Sequence, residues 1–386
     1  MKNKVSILPF GGVARRKLFL LFCFLCPMFV SGQYTPSVIR TSIPDLKVGV
    51  MLPFEDTKMV EFYRGMLMAA DSVRQSGVNI DIYAWDCGSS RSRIEDLLSE
   101  ISGLDILFGP TSPVQVPLVA ELCRELGVRL VLPFPNALPL TDFPLVFSAT
   151  APNAVVLDDA ARKLTNYFAD GNFVVVRSGN ADNGGNLFTK ALTQKLAAEK
   201  AAPKHLEIEG NDFAYESAFN QFRSNVVLVD DASVRSLNIL LARLKDFHQK
   251  HPDYAITLVG YPQWQDESGR LLNDFFTFNT YIISPYYYNV FDSRTKHFQR
   301  TYERNFRTPI AQGSPRYAAF GFDLGFYFLN GFSTLGDTFE RMQEGILQEP
   351  YQNRFRFERT VSDMSFTNRF VQFIHYTRDG LIELVR

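Results

Sequence analysis

Cysteine and histidine are scarce in this chain of 386 residues, which contains four Cys and five His. Four cysteines are too few for a scaffold that depends on several disulfides. The closely spaced histidines, His248 and His251, fall at the end of a predicted helix beside Lys250, with no Cys or acidic cluster near them. That setting is typical of a solvated helix end rather than a zinc site. The sequence therefore predicts neither a metal centre nor a disulfide framework.

An excess of charge of one sign is also absent. The chain has 40 basic and 41 acidic residues, a formal net charge of −1, and no long basic run. A protein that holds nucleic acid mainly by attracting phosphates needs a basic surface, so that class is excluded.

Catalytic motifs are missing as well. The sequence contains no G-x-S-x-G elbow, no H-E-x-x-H helix and no G-x-x-x-x-G-K-[ST] phosphate loop. The paired acids Asp158–Asp159 and Asp230–Asp231 are sequence neighbours, which point apart in a helix or a strand and cannot form a dyad alone. We expect a protein that is not an enzyme and that uses no cofactor.

Apolar and aromatic residues are abundant instead. They make up 46% and 14% of the chain, with 35 Phe, which is enough to bury a large core and rules out a disordered tail protein. The length corresponds to about two domains.

The N-terminus has the pattern of a secretory signal. Basic residues precede the apolar run Leu18–Val30, and small residues lead up to Gly32. We predict a signal peptide over residues 1–32, a linker over 33–45 and export to the periplasm. An uncleaved membrane anchor is the alternative, but the run is short for a span of about 20 residues and Pro27 interrupts it. No other segment resembles a membrane span, so we expect no stable span after cleavage.

The remaining cysteines, Cys87 and Cys123, leave two possibilities open. An oxidising compartment would permit a bridge between them. Cys123 also lies on the apolar face of a predicted helix that includes Leu118, Leu122 and Leu126, which favours a buried free thiol.

Strands and helices alternate along most of the chain. The predicted strands occupy residues 46–54, 79–86, 104–109, 128–134, 172–178, 205–210, 225–230, 254–260 and 280–288. Segments whose apolar residues recur at helical spacing lie between most of these strands. The last segments, RFRFERTV, RFVQFIHYT and LIELVR, alternate like an antiparallel meander. The pattern predicts an α/β fold with two doubly wound parallel-sheet lobes.

Several segments of the sequence resemble a known family. They are KVGVMLPF, EFYRGMLMAADSVRQSGVNIDIYAWD, ILFGPTSP, LGVRLVLPFPN, LVGYPQWQ, NTYIISPYYY and YAAFGFDLGFYFL. Together they resemble the type I periplasmic binding proteins, of the branched-chain amino acid ABC transporter kind, and are most similar to a Bacteroidetes group with LysM repeats. No LysM-sized segment lies between Gly32 and Leu46, so attachment to peptidoglycan is not carried over.

The resemblance implies two lobes joined by three crossings, near 147–150, 284–287 and 331–335. Lobe one would contain residues 46–148 plus 285–333, and lobe two residues 149–284 plus 334–386. Ligands of such folds lie beyond the carboxyl ends of the strands. The contacts implied by the family are Thr111, Ser112 and Asn136 in lobe one, and Asn183, Tyr261, Trp264 and Tyr286 in lobe two or at a crossing.

An acid that would meet a ligand ammonium is harder to assign. Asp86 and Asp231 are candidates, although Asp after a strand is common as a helix cap or turn residue. We expect a solute-binding receptor that closes on a small polar ligand, amino acid-like or derived from the cell wall, with an envelope transporter or sensor as its partner. The alternative is an envelope interaction module that has the same fold but has lost its ligand.

Overall fold

The computed structural model describes residues 46–135, 142–180, 185–346, 348–360 and 363–385. These residues all belong to one compact unit, residues 43–386. The predicted signal peptide and linker, and the predicted contacts Asn136 and Asn183, lie outside the described residues.

The described strands are, in chain order, β1 (Leu46–Leu52), β2 (Ile80–Asp86), β3 (Ile106–Phe108), β4 (Arg129–Leu132), β5 (Val146–Ser148), β6 (Asn172–Arg177), β7 (Lys204–Glu207), β8 (Asn225–Val229), β9 (Ile256–Gly260), β10 (Tyr281–Ser284), β11 (Phe357–Thr360), β12 (Asp363–Asn368), β13 (Gln372–Tyr376) and β14 (Ile382–Val385). The helices are α1 (Thr57–Arg74), α2 (Arg91–Glu95), α3 (Val116–Leu126), α4 (Asn153–Tyr167), α5 (Gly185–Ala198), α6 (Asp212–Ala218), α7 (Val234–Lys250), α8 (Ser268–Thr277), α9 (Ser293–Phe306), α10 (Tyr317–Leu335) and α11 (Phe339–Met342). Short 3₁₀ turns at Leu98–Ile101, Pro262–Glu267, Gly336–Thr338 and Gln343–Gly345 complete the helical segments.

The strands form two seven-stranded sheets, which confirms the predicted α/β class with two lobes. Their orders are β11-β12-β5-β4-β3-β1-β2 in lobe one and β14-β13-β10-β9-β8-β6-β7 in lobe two. The central strands run parallel. Strands from the C-terminal part of the chain are added at one edge of each sheet, where β11 is antiparallel to β12 and β13 is antiparallel to β10 and β14. Central strands such as β8 and β9 are buried along their whole length, as expected for parallel strands with helices on both faces.

Local signals explain where the helices begin and end. The side chain of Asp56 accepts a hydrogen bond from the backbone N–H of Lys58 at the start of α1, and Ser233 does the same for Ser236 at the start of α7. Helix α3 ends at Gly127, which has a left-handed backbone with φ of 71°, a conformation that glycine adopts without steric cost.

Helices α1 and α10 pack against each other at backbone distance on one face of the first sheet. A Cβ atom added to Gly321 would lie 2.0 Å from the Phe62 carbonyl oxygen, and one added to Gly65 would lie 2.0 Å from the Ala318 carbonyl oxygen. Glycine at both positions therefore allows this close approach.

The C-terminal meander is divided between the two sheets, which differs from the prediction. Strands β11 and β12 join sheet one, where β12 pairs in parallel with β5, a short strand that the sequence reading missed. Phe147 of β5 explains the attachment: its ring stacks on Phe366 of β12 at 4.5 Å and meets Phe357 of β11 edge-on at 5.5 Å. Only β13 and β14 remain in lobe two, as an antiparallel pair beside β10.

Both remaining cysteines are buried free thiols. Cys87 and Cys123 lie in the same apolar cluster of lobe one, and burial raises the pKa of each to about 12. Among the described helices, none combines the length and the apolar character required to cross a bilayer.

Candidate ligand site between the two lobes

Along the part of the chain that the structure describes, the backbone passes between the lobes three times. The crossings lie at 149–152 between β5 and α4, at 285–292 between β10 and α9, and at 369–371 between β12 and β13. The positions implied by the family resemblance for the first two were near 147–150 and 284–287. The third differs from the predicted 331–335, because α10, α11 and the strands β11 and β12 all remain with lobe one. Residues 334–368 therefore belong to lobe one rather than lobe two, apart from the undescribed positions within that range.

Hydrogen bonds hold the first and third crossings together. Asn368 donates from Nδ2 to the carbonyl of Ala149 at 3.0 Å. One residue further, Arg369 donates to both oxygens of Asp159 on α4, at 2.6 Å and 2.9 Å. Burial opposes ionisation of Asp159, but the guanidinium groups of Arg369 and Arg162 outweigh it and hold the pKa of this carboxyl below its ordinary value. The third crossing is thus anchored to lobe two by a buried ion pair.

The second crossing is supported from lobe one. The N–H of Tyr287 donates to the Gln352 carbonyl at 3.0 Å. The segment containing Gln352 is held by Asp323 of α10, whose oxygens accept the backbone N–H groups of Tyr351, Gln352 and Asn353 at 2.7–2.8 Å. Burial raises the pKa of Asp323 to about 7, although the three N–H groups favour the carboxylate. Asp323 therefore positions the second crossing without touching it.

A cavity of about 330 Å³ lies beside the second crossing and is bordered by both lobes. We call it the interlobe cavity. Its walls come from lobe two, from the crossing itself and from the segment before α10 in lobe one. The lining residues are Gln265, Asp266, Ser268, Tyr376 and Ile382; Tyr286, Tyr287, Tyr288, Asn289, Val290 and Phe291; and Gly313, Ser314 and Arg316.

Opposite charges face this cavity from opposite lobes. Asp266, from lobe two, is exposed to solvent. Arg316, from lobe one, is half-buried; its guanidinium lies 5.6 Å from the centre of the Tyr288 ring and donates to the side chain of Gln312 at 2.9 Å. Tyr286 also lines the cavity, and burial, with Asp266 adding to it, raises the pKa of its hydroxyl to about 12. The cavity thus offers an anion, a cation and neutral phenol groups.

Of the predicted contacts, Tyr286 lines the interlobe cavity. Thr111 and Ser112 are half-buried in the loop between β3 and α3. Ser112 Oγ donates to the Ser89 carbonyl at 2.9 Å, and the Ser112 carbonyl accepts the N–H groups of Gln115 and Val116. Ser112 is therefore largely occupied in joining two strand-end loops of lobe one.

Tyr261 and Trp264 lie in the core of lobe two and do not line the interlobe cavity. Their side chains are 2% and 0% exposed. Trp264 Nε1 donates to the Ala232 carbonyl at 3.0 Å, and the Tyr261 hydroxyl donates to the Val229 carbonyl. The indole packs on Gly260, where any Cβ would lie 2.1 Å from the ring. Both polar groups are used within the lobe, so Tyr261 and Trp264 act here as packing.

The two acids considered for a ligand ammonium have structural roles. Asp86 Oδ1 accepts the backbone N–H groups of Phe54 and Gly88, both at 3.2 Å. Asp231 is 2% exposed, and its oxygens accept, at 2.7 Å, the hydroxyls of Ser233, which caps α7, and of Ser236 in the first turn of that helix. These bonds are those of turn and cap residues. No group of His, Cys, Asp and Glu suited to a metal ion occurs among the described residues.

Sequence reasoning missed Asp266 and Arg316. Asp266 lies two residues after Trp264, in the 3₁₀ turn that follows β9. Its position after a strand end was a usable signal, since that loop had already been singled out. Arg316 precedes α10 in a segment without strand or helix pattern, and no sequence feature places it opposite Asp266.

Comparison with known proteins gives structural neighbours only. No protein-family profile matches the chain, and no curated protein matches it. A branched-chain amino acid ABC transporter protein from Rhodospirillum rubrum superposes with a TM-score of 0.61 at 15% identity, over 89% of this chain and 100% of the other. The fold is that of a type I periplasmic binding protein.

Two further structures support that assignment. A periplasmic ligand-binding protein of a branched-chain amino acid ABC transporter from Burkholderia xenovorans has a TM-score of 0.52 at 10% identity, covering 88% of this chain and 94% of the other. LpoA from Haemophilus influenzae has a TM-score of 0.56 at 15% identity, covering 89% of this chain and 59% of the other. At such identities the likeness establishes the fold, and the fold implied by the sequence resemblance is confirmed.

Proposed function

We propose that the protein is an exported solute-binding receptor that closes its two lobes on a small zwitterionic ligand, an amino acid or a peptide fragment of the cell wall. The observation that carries the proposal is the pair of opposite charges at the interlobe cavity, Asp266 from lobe two and Arg316 from lobe one. Asp266 would meet the ligand ammonium, and Arg316 would meet the carboxylate, for which a guanidinium is well shaped.

Closure follows from the same arrangement. A ligand whose two charged ends are held by different lobes gains both contacts only when the lobes approach each other, so its binding shifts the population toward the closed state. The three crossings would absorb the rotation as a hinge. Tyr286, on the second crossing, would pack its ring against the ligand.

Export and a transporter or sensor partner belong to the same proposal. The N-terminal pattern of basic, apolar and small residues supports secretion to the periplasm. The named role of the Rhodospirillum rubrum neighbour, branched-chain amino acid ABC transport, supports a receptor for an amino acid-like solute. We expect the body of the protein to bind its ligand without a cofactor and to catalyse no reaction.

Calorimetry and small-angle scattering with a pool of amino acids and muropeptides test the proposal. A bound ligand should reduce the radius of gyration. Asp266→Asn and Arg316→Gln should each weaken binding about tenfold or more, because each removes a charge-assisted hydrogen bond. Asp379→Asn, in an exposed turn of lobe two, is the matched control and should bind normally. An unchanged radius with every compound would count against a closing receptor.

The second candidate is an envelope interaction module with this fold and no ligand. It is favoured because Asp86 and Asp231, the acids considered for a ligand ammonium, are bonded within their own loops. Pull-down from periplasm distinguishes the two candidates: partners retained unchanged by an Asp266→Asn/Arg316→Gln double variant, together with no ligand by native mass spectrometry, would favour the module.

A further inference from the structure

A second cavity, of about 510 Å³, lies entirely within lobe one. It is formed by the first half of α1 and by the segment 308–317 that links α9 to α10, and we call it the lobe-one cavity. It shares only Gly313 and Ser314 with the interlobe cavity. Its volume is in the range of about 300–1,000 Å³ that is typical of small-molecule sites.

Two cationic side chains line the lobe-one cavity. Lys58 is exposed, with its ammonium 5.8 Å from the centre of the Tyr317 ring. Arg64 lies with its guanidinium 5.3 Å from the centre of the Phe306 ring. Within the described part of the chain, neither cation has a carboxylate at the 4.0 Å distance of an ion pair. Both are therefore available to an anion that enters the cavity.

Among the described residues that line the cavity, Glu61 is the only acid, and it is already bonded. Glu61 is 7% exposed, and its Oε1 accepts the backbone N–H of Ala311 at 2.6 Å. Burial raises the pKa of Glu61, although this bond and the nearby arginines act to lower it. Its carboxylate holds the segment 308–317 against α1 and leaves the wall with an excess of positive charge.

Apolar surfaces complete the lobe-one cavity. Val60, Pro309 and Pro315 line it together with the rings of Tyr302 and Tyr317. A ligand that fits must therefore combine an anionic group for Lys58 and Arg64 with a compact apolar or aromatic body.

We propose that the lobe-one cavity is a binding site for a small organic carboxylate, with Lys58 and Arg64 holding the carboxylate and the half-buried Tyr317 ring packing on its body. The site is separate from the interlobe cavity and does not depend on the receptor function proposed for it. The fluorinated aromatic acid 4-fluorophenylacetate, which has the anionic group and the flat body, is a suitable probe.

Fluorine NMR of this probe with the full chain tests the proposal. The unaltered protein should bind 4-fluorophenylacetate and should bind the neutral 4-fluorophenylacetamide at least about tenfold more weakly, because the amide lacks the charge. Lys58→Gln and Arg64→Gln should each weaken binding of the acid by a similar factor. Lys296→Gln, an exposed residue of α9 outside the cavity, is the matched control and should leave binding unchanged.

The alternatives give different results. Equal binding of acid and amide, or a Lys58→Gln/Arg64→Gln double variant that binds like the unaltered protein, would overturn the proposal. Binding lost in Asp266→Asn/Arg316→Gln but kept in the Lys58/Arg64 variants would place the probe in the interlobe cavity and would also overturn it. No detectable binding of the acid at concentrations up to about 10 mM would refute the site outright. Far-ultraviolet circular dichroism of each variant checks that the fold is intact.

Discussion

Replacement of Asp159 by Asn should reveal how strongly the third crossing is anchored. Asp159 is 2% exposed and Arg369 is 21% exposed in their ion pair, which has two hydrogen bonds of 2.6 Å and 2.9 Å. Removing one partner of a buried pair costs about 3–5 kcal/mol, because the other charge stays buried without compensation. Since Arg369 keeps some contact with water, we expect the lower end, about 3 kcal/mol of the free energy of unfolding.

The effect should depend on pH in a defined direction. The pKa of Asp159 is lower in the folded protein than its ordinary value, so the unfolded chain takes up the proton first as pH falls. The stabilisation is fully present above the unfolded value of about 3.9 and is lost as pH falls through the folded value. The difference between the unaltered protein and Asp159→Asn should therefore be largest at neutral pH and shrink in acid.

Urea unfolding at neutral and acid pH, followed by circular dichroism, measures this difference. Arg162→Gln is the matched control: Arg162 makes a single 3.0 Å bond to the same carboxylate and is 49% exposed, so its loss should cost less than about 1 kcal/mol. A difference for Asp159→Asn that is no larger than that of Arg162→Gln at neutral pH, or that persists undiminished in acid, would refute the reasoning.

Two further predictions concern packing and thiol chemistry. Gly321→Ala should destabilise the protein by about 3 kcal/mol or somewhat less, because the new methyl would meet the Phe62 carbonyl at 2.0 Å. Gly269→Ala, where nothing lies within 4 Å, should be neutral or slightly stabilising in the same urea titration. Cys87 and Cys123 should resist iodoacetamide near pH 8 in the native state, because burial keeps both as thiols, and should react once urea unfolds the chain; fast labelling of the native protein would contradict their burial.

The site was less accessible from sequence than the fold. Position after a strand end singled out the loop that contains Tyr261 and Trp264, but alternation along an extended chain shows only that neighbours face opposite sides. Which side chains of the loop face the core and which face a cavity depends on the helices that pack over that loop. In lobe two the indole of Trp264 fills the space over Gly260, and this leaves the next acid, Asp266, to face the opening.

The order of strands and helices was encoded locally. Val-rich runs such as β1 and β8, the cap at Asp56 and the left-handed Gly127 each act within a few residues, so the alternating α/β pattern and the two-lobe class could be read from the sequence.

The partners of the strands and the third crossing were decided only in three dimensions. The segment FERT of β11 alternates like any edge strand, and nothing within it distinguishes lobe one from lobe two. The lobe is determined by Phe147, more than 200 residues earlier in the chain. Its ring stacks on Phe366, and β12 pairs with β5 as a result. The same holds for Asp266 and Arg316, which come to one cavity from different lobes. Contacts between residues far apart in the chain depend on which surfaces can be buried together. A local sequence pattern does not specify which distant segment it will contact.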